Sequence, residues 1–217
     1  MRLQGRMGWK SVDGGFEFHA KDLALVTRDG PALRLADFLL RLIPGKGAKL
    51  PRGELRAKVL ELEPLLRLSA YLPLDATVRE RLTRIGPRGS VYDMAAKWEG
   101  EWPAPSEYTI KGRFAGLGIH AYGAIPAFSG MSGSLDGDQT GGAFNLNSRN
   151  ATLELPKVFR DPLMFDTLTA QSGWVYRDGR AELKLSNVSF SNAHLAGSVY
   201  GAYHTAPGGR GLIDLTG

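Results

Sequence analysis

Apolar and polar residues alternate along most of this chain, and at intervals the alternation slips by one residue at an Asp or Asn. Residues 8–25 read GWKSVDGGFEFHAKDLAL; Phe16, Phe18 and Ala20 point one way, the phase changes at Asp22, and Leu23 and Leu25 resume it. Residues 173–190, GWVYRDGRAELKLSNVSF, lie over that stretch without a gap: Ala181, Leu183 and Leu185, then Asn187, then Val188 and Phe190. A third copy fits from Phe144, with Leu146 and Ser148, then Asn150, then Ala151, Leu153 and Leu155. Side chains alternate faces along a strand, so one extra residue returns the apolar set to its original face, which is what a β-bulge supplies. Asp and Asn suit that slot because they tolerate left-handed backbone angles. The pattern predicts a mainly β protein: a long, curved, bulged antiparallel sheet, groove-like or sandwich-like, built from repeated strand units.

The rest of the chain fits around these units. Arg28, Asp29, Gly30 and Pro31 form a strong turn signal, after which Leu33, Leu35, Phe38, Leu40 and Leu42 alternate with a slip at Ala36 and Asp37. A loop over 44–52 precedes a weaker alternation in which Leu55, Ala57, Val59 and Glu61 oppose Glu54, Arg56, Lys58 and Leu60. A short helical insertion follows. Pro64 sits at a natural first helical position, Leu65, Leu66, Leu68 and Leu72 make an apolar stripe closed by Pro73, and Asp75 caps a second helix carrying Val78, Leu82 and Ile85 before Gly86 and Pro87 stop it. Strand patterns return at 91–98, 108–112 and 116–122 and continue to the last residue. This divides the chain into a first β unit over 1–62, a helical segment over 63–86 and a second, continuous β unit over 87–217, and both ends read as cut from a longer protein.

Composition agrees with strands and turns. The 217 residues are long enough for a substantial core, and 28 Gly and 12 Pro exceed what helices use. With no Cys, disulfides, Cys-ligated zinc and Cys nucleophiles are excluded. No run reaches the roughly 18 to 20 apolar residues that span a bilayer as a helix. The net charge is +5, and Arg41, Lys46, Lys49, Arg52, Arg56 and Lys58 form a basic cluster. Such a cluster can meet phosphates, including lipid headgroups, or can be a solvated face.

The densest signal is PAFSGMSGSLDGDQTGG over 126–142, preceded by WEGEWPAPSEYTIKGRFAGLGIHAYGAI from Trp98. With Gly53, Glu54 and Leu55 before the Leu-rich segment and Pro73, with Pro87, Arg88 and Gly89, and with Gly141, Gly142 and Pro156, this order of pieces resembles the YhdP branch of the AsmA-like envelope proteins, a family of bridge-type lipid-transfer proteins. The resemblance implies a soluble segment of a periplasmic β-rich body, an inner-membrane anchor elsewhere in the full-length protein, and no catalytic residues or cofactors. It implies phospholipid or another acyl lipid as ligand, with the remaining segments of the full chain and other envelope proteins as partners; no nucleic acid is expected. A sheet with one apolar face must bury it, either as a groove for acyl chains or as a closed core under the helices. The candidates for that wall are Phe16, Phe18, Leu23, Leu25, Phe144, Leu146, Leu153, Leu183, Leu185, Val188 and Phe190.

Other chemistry is thin. Ser132 in GMSG lacks the residue that a nucleophile elbow places between Ser and the second Gly, so a turn is expected there. His19, His120, His194 and His204 are scattered without metal spacing, and no metal site is expected. Asp136, Gly137 and Asp138 read as a turn former. Asn150 and Asn187 each start a glycosylation pattern but occupy the bulge slot of the repeat. Trp9 and Trp174 mark equivalent repeat positions, which favours structural anchoring.

Overall fold

The computed structural model describes residues 2–27, 30–69, 76–101, 104–123, 125–156, 159–177, 179–205 and 212–217; for 2–4, 25–27, 30–36, 68–69, 78 and 213 it describes the backbone alone. Among the described residues thirteen strands and two helices follow one another: β1 (Arg2–Val12), β2 (Gly15–Thr27), β3 (Gly30–Ala36), β4 (Phe38–Ile43), β5 (Arg52–Glu61), α1 (Leu62–Ser69), α2 (Ala76–Ile85), β6 (Arg88–Glu99), β7 (Glu107–Ile119), β8 (Phe128–Asp138), β9 (Gly141–Leu153), β10 (Leu163–Arg177), β11 (Arg180–Ser191), β12 (Ala196–His204) and β13 (Leu212–Thr216). They form one open, curved antiparallel sheet in nearly sequential order. The one departure is that β3 and β4 act as a single strand bent at Asp37: β2 and β5 each pair with both of them. Hairpin turns at one end of the strands define a hairpin rim. The helices and the connections that follow β7, β9 and β11 lie at the other end, the far rim.

Slips in the alternation are where the sequence places them. Asp22, Asp37 and Asn150 have φ of 50°, 46° and 54°, and the pairing of β1 with β2 shifts register opposite Asp22. The slip at Asn187 is real, because Gln171 faces Asn187 while Ser172 faces Leu185, but Asn187 keeps a negative φ. This bulge therefore uses ordinary backbone angles. Asp93 (φ 49°), Gly116 (φ 61°) and Gly130 (φ 72°) add slips that the sequence reading missed.

Several expectations need correction. Residues 108–112 and 116–122 are not two strands; β7 runs through Gly116, whose left-handed angle absorbs the irregularity. Leu60 does not oppose Ala57. Both are buried in one cluster, since two residues, Lys58 and Val59, lie between them across the line of slips. Ser132 lies within β8, not in a turn, and the turn after β8 falls at Gln139 and Thr140. There Asp138 Oδ1 accepts from Thr140 N (2.7 Å), Thr140 Oγ1 (2.6 Å) and Gly141 N (3.2 Å), and these bonds hold its carboxyl below the usual range. The helix begins at Leu62, so Pro64 stands in its first turn; Leu72, Pro73 and Asp75 lie outside the described residues.

Burial is split between two clusters. Ala20, Leu23, Ala57 and Leu60 form the first, against which Phe18, Phe38, Val91, Met94 and the α1 residues Leu62 and Leu65 pack. Met131, Ala151 and Leu168 form the second, surrounded by half-buried residues from β7 to β11 only. Thus α1 covers one part of the apolar face and strand residues alone make up the other cluster. No helix among the described residues is long and apolar enough to cross a membrane.

Candidate functional site

Directly opposed residues in an antiparallel pair point to the same side of a sheet, so following the register from strand to strand traces a row on one face. One such row starts as Trp9, Phe18, Leu40, Leu55, Ala96 and Ile110, from β1 to β7. It continues through Gly137, Gly142, Trp174, Leu183 and Tyr203, and reaches β13 at Ile213. It is uninterrupted by any charged residue. Toward the far rim a second row joins Gly112, Leu135, Phe144, Ser172, Leu185 and Gly201 to Leu215. A third joins Leu60, Val91, Phe114, Gly133 and Leu146 to Ala170, Val188 and Val199. The slips at Asp22, Asp37, Asp93 and Asn187 lie between the second and third lines, and they keep both lines on one face.

This face is the inner side of the curve. On β9 the alanine of the apolar face, Ala151, is 1% exposed, whereas Ala143 on the other face is exposed, although they are the same side chain in the same strand. No helix residue takes part in the cluster around Ala151, so its shielding comes from neighbours on the same face leaning over it. That is the geometry of a concave surface.

The glycines of the rows have a packing reason. A Cβ on Gly142 would lie 2.5 Å from the Trp174 ring and one on Gly137 2.6 Å from it; on Gly53, the Trp98 ring would be 2.0 Å away. The indoles lie flat across the bare backbone of neighbouring strands. Backbone groups displaced by the glycine slips find hydroxyls instead: Gly116 N donates to Ser132 Oγ (3.0 Å), Ser132 N donates to Ser148 Oγ (2.9 Å), and Ser148 Oγ donates to Ser132 O (3.3 Å).

The expected wall residues are distributed as follows. Phe18 and Leu23 belong to the cluster under α1; Leu146, Leu153, Val188 and Phe190 belong to the second cluster. Phe144, Leu183 and Leu185 are half-buried members of the rows between it and the hairpin rim. Phe16 stacks on Trp9 at 4.5 Å with the rings 9° from parallel. The Leu25 side chain lies outside those described. Sequence reasoning missed Phe114, Leu117, Phe128, Met131, Phe165 and Leu168, which the cluster contains; β7 and β8 carry glycine slips that hide the alternation, and on β10 two exposed residues, Asp166 and Thr167, part Phe165 from Leu168 opposite the slip at Asn150.

The basic cluster does not act as one patch. The row beside the apolar one, on the outer face, runs Lys10, Glu17, Arg41, Glu54 and Lys97 in alternating sign. Lys10 lies 2.8 Å from Glu17, Arg41 Nε donates to Glu17 Oε2 (2.7 Å) and Arg41 Nη1 to Glu54 Oε2 (3.2 Å), and Arg56 reaches Glu54 at 2.6 Å. Glu17 is only 4% exposed, and the bonds from Lys10 and Arg41 hold its carboxyl below the usual range while raising Arg41. Arg41 and Arg56 are thus tied into the outer face. Lys58 is exposed there as well, while Lys46 and Lys49 stand exposed in the β4–β5 loop, joined through backbone bonds of 3.1 and 3.2 Å. Arg52 opens β5 at the hairpin rim.

Two hollows, of 560 and 800 Å³, lie toward the hairpin rim; Arg41, Glu54, Lys97 and Asp138 line the first and Arg177, Arg180, Glu182 and His204 the second. Charges of both signs make them unsuited to acyl chains. Among the described residues no group of three or more His, Asp or Glu is placed to hold a metal ion.

A single-layer sheet with one apolar concave face and one charged convex face is the architecture of a groove. The model of the YhdP family, described as YhdP protein, matches residues 1–217, and the chain belongs to this family of AsmA-like envelope proteins. No curated protein and no solved structure matches the chain.

Proposed function

We propose that this chain is a non-enzymatic segment of a periplasmic lipid-transport bridge, shielding acyl chains along its inner face between the inner and outer membranes. The observation that carries the reading is the apolar row from Trp9 to Ile213, which crosses the whole sheet without a charge and runs over β7 to β11, where strand residues alone form the cluster. Each methylene removed from water contributes about 0.8 kcal/mol, so an acyl chain is held along such a face without a fixed polar contact. A surface that holds by area alone also releases by sliding, which suits conduction. The full-length protein is anchored, on this reading, in the inner membrane by another segment. Native mass spectrometry of the purified protein, followed by extraction and lipid identification, tests it: phospholipid in a defined ratio is the expected result, and clean protein that binds no added phospholipid contradicts it.

A second reading rests on the edges. Strands β1 and β13 stand at the two sides of the sheet, each with one edge unpaired among the described residues, and Met7 (53% exposed), Trp9 (66%) and Leu215 (50%) continue the apolar face to those edges. Unpaired edges of this kind pair with further strands. As a structural module without a lipid site, the segment would join its neighbours in the full chain through them. Light scattering separates the readings: concentration-dependent association that flanking sequence abolishes, with no bound lipid, favours the module.

A further inference from the structure

The inner face is graded across its width. Trp9, Trp98 and Trp174, with Tyr108, Tyr176 and Tyr203, occupy its two lines nearest the hairpin rim: Trp98 pairs with Tyr108, Trp174 with Leu183, Leu183 with Tyr203, and Tyr176 with Ala181 beside the turn. Beyond Leu146 toward the far rim the same face carries Met131, Phe128, Leu153, Leu168 and Phe190, and none of its described strand residues there is a Trp or Tyr; Tyr122 stands in the loop past β7, paired with Ile125. Rings with an apolar body and a polar N–H or O–H collect at the headgroup level of a bilayer, where they meet both hydrocarbon and water. Purely apolar side chains collect below it.

From this segregation we infer that the hairpin rim is the headgroup side of the groove, and that a bound glycerophospholipid lies along the strands with its ester and phosphate groups at the Trp and Tyr belt. The inference rests on the lipid-groove reading and adds an orientation to it. The dimensions fit: from Trp174 to Ala170 the strand rises about 14 Å at ~3.4 Å per residue, and one leaflet's share of a ~30 Å hydrocarbon core is about 15 Å. Tails starting at the belt therefore cross the three apolar lines and end near the second cluster. The exposed Lys46 and Lys49 stand on the same rim, where a phosphate passes them. Movement of lipid from β1 toward β13 keeps the headgroup beside the belt at every step.

Depth-resolved quenching of tryptophan fluorescence tests the orientation. The Trp102→Phe protein leaves Trp9, Trp98 and Trp174 as the emitters. It is delipidated and reloaded with phosphatidylcholine carrying a nitroxide either at the headgroup-proximal end of the acyl chain or at its methyl end, with loading measured by native mass spectrometry. At equal loading, the headgroup-proximal label quenches at least twofold more strongly. Equal quenching, or stronger quenching by the methyl-end label, overturns the orientation and leaves the groove reading standing. Failure of either lipid to load overturns both.

Discussion

The indole of Trp98 lies across Gly53, its directly paired neighbour on β5, so closely that a Cβ on Gly53 would come within 2.0 Å of the ring. The same relation holds between Trp174 and Gly142. Gly53→Ala therefore displaces the ring, with a loss of about 1–3 kcal/mol as in other overpacked sites. Urea unfolding of Gly53→Ala, Trp98→Phe and the double variant measures it: the cost of the alanine falls in the Trp98→Phe background, where less ring must move.

The slips are backbone conformations and respond as such. Asp22, at φ 50°, accepts Gly with little change, whereas Val there costs about 1–2 kcal/mol through the left-handed region. Urea midpoints of Asp22→Gly and Asp22→Val give the comparison. An equal loss in both would mean that the Asp side chain, and not its backbone angle, sets the slip.

The outer ladder predicts an acid dependence. Glu17 has its carboxyl lowered by hydrogen bonds from Lys10 and then Arg41. A carboxylate lowered on folding contributes stability that is fully present above its unfolded pKa and is lost as pH falls through the folded value. Melting of the wild type thus loses stability below the ordinary Glu range more steeply than that of Glu17→Gln, and the difference between the two narrows toward low pH. Asp138, lowered by Thr140 and Gly141, titrates in the same direction in both proteins and cancels from the comparison.

Much of this fold is legible in the sequence because its repeat is a hairpin. The overlay of residues 8–25 on 173–190 places Trp9 with Trp174 and Phe18 with Leu183, and all four fall in one row of the sheet. Asp22, Asp37 and Asn150 announce their slips because a polar residue interrupts an apolar alternation. Gly116 and Gly130 announce nothing, since a glycine reads as either face. The third copy, from Phe144, has the right local shape but sits displaced: its slip at Asn150 lies beyond the Ser148 position, farther toward the far rim than the slip at Asp22. The outer charge ladder and the Trp-over-Gly contacts join residues distant in sequence, so only the register brings them together. For that reason Arg41 and Arg56 read as free basic residues until Glu17 and Glu54 appear beside them.

Adjacent residues on β9 give the most direct test of the groove. Phe144 faces inward and is half-buried, and Asn145 faces outward and is exposed. A photoreactive phenylalanine analogue placed at either position in the full-length protein, irradiated in cells and analysed for attached lipid, reads which face meets acyl chains. Phospholipid attached at Phe144 and absent at Asn145 is the predicted result. Attachment at Asn145 to the same extent, or none at Phe144 in a folded protein, would contradict the groove.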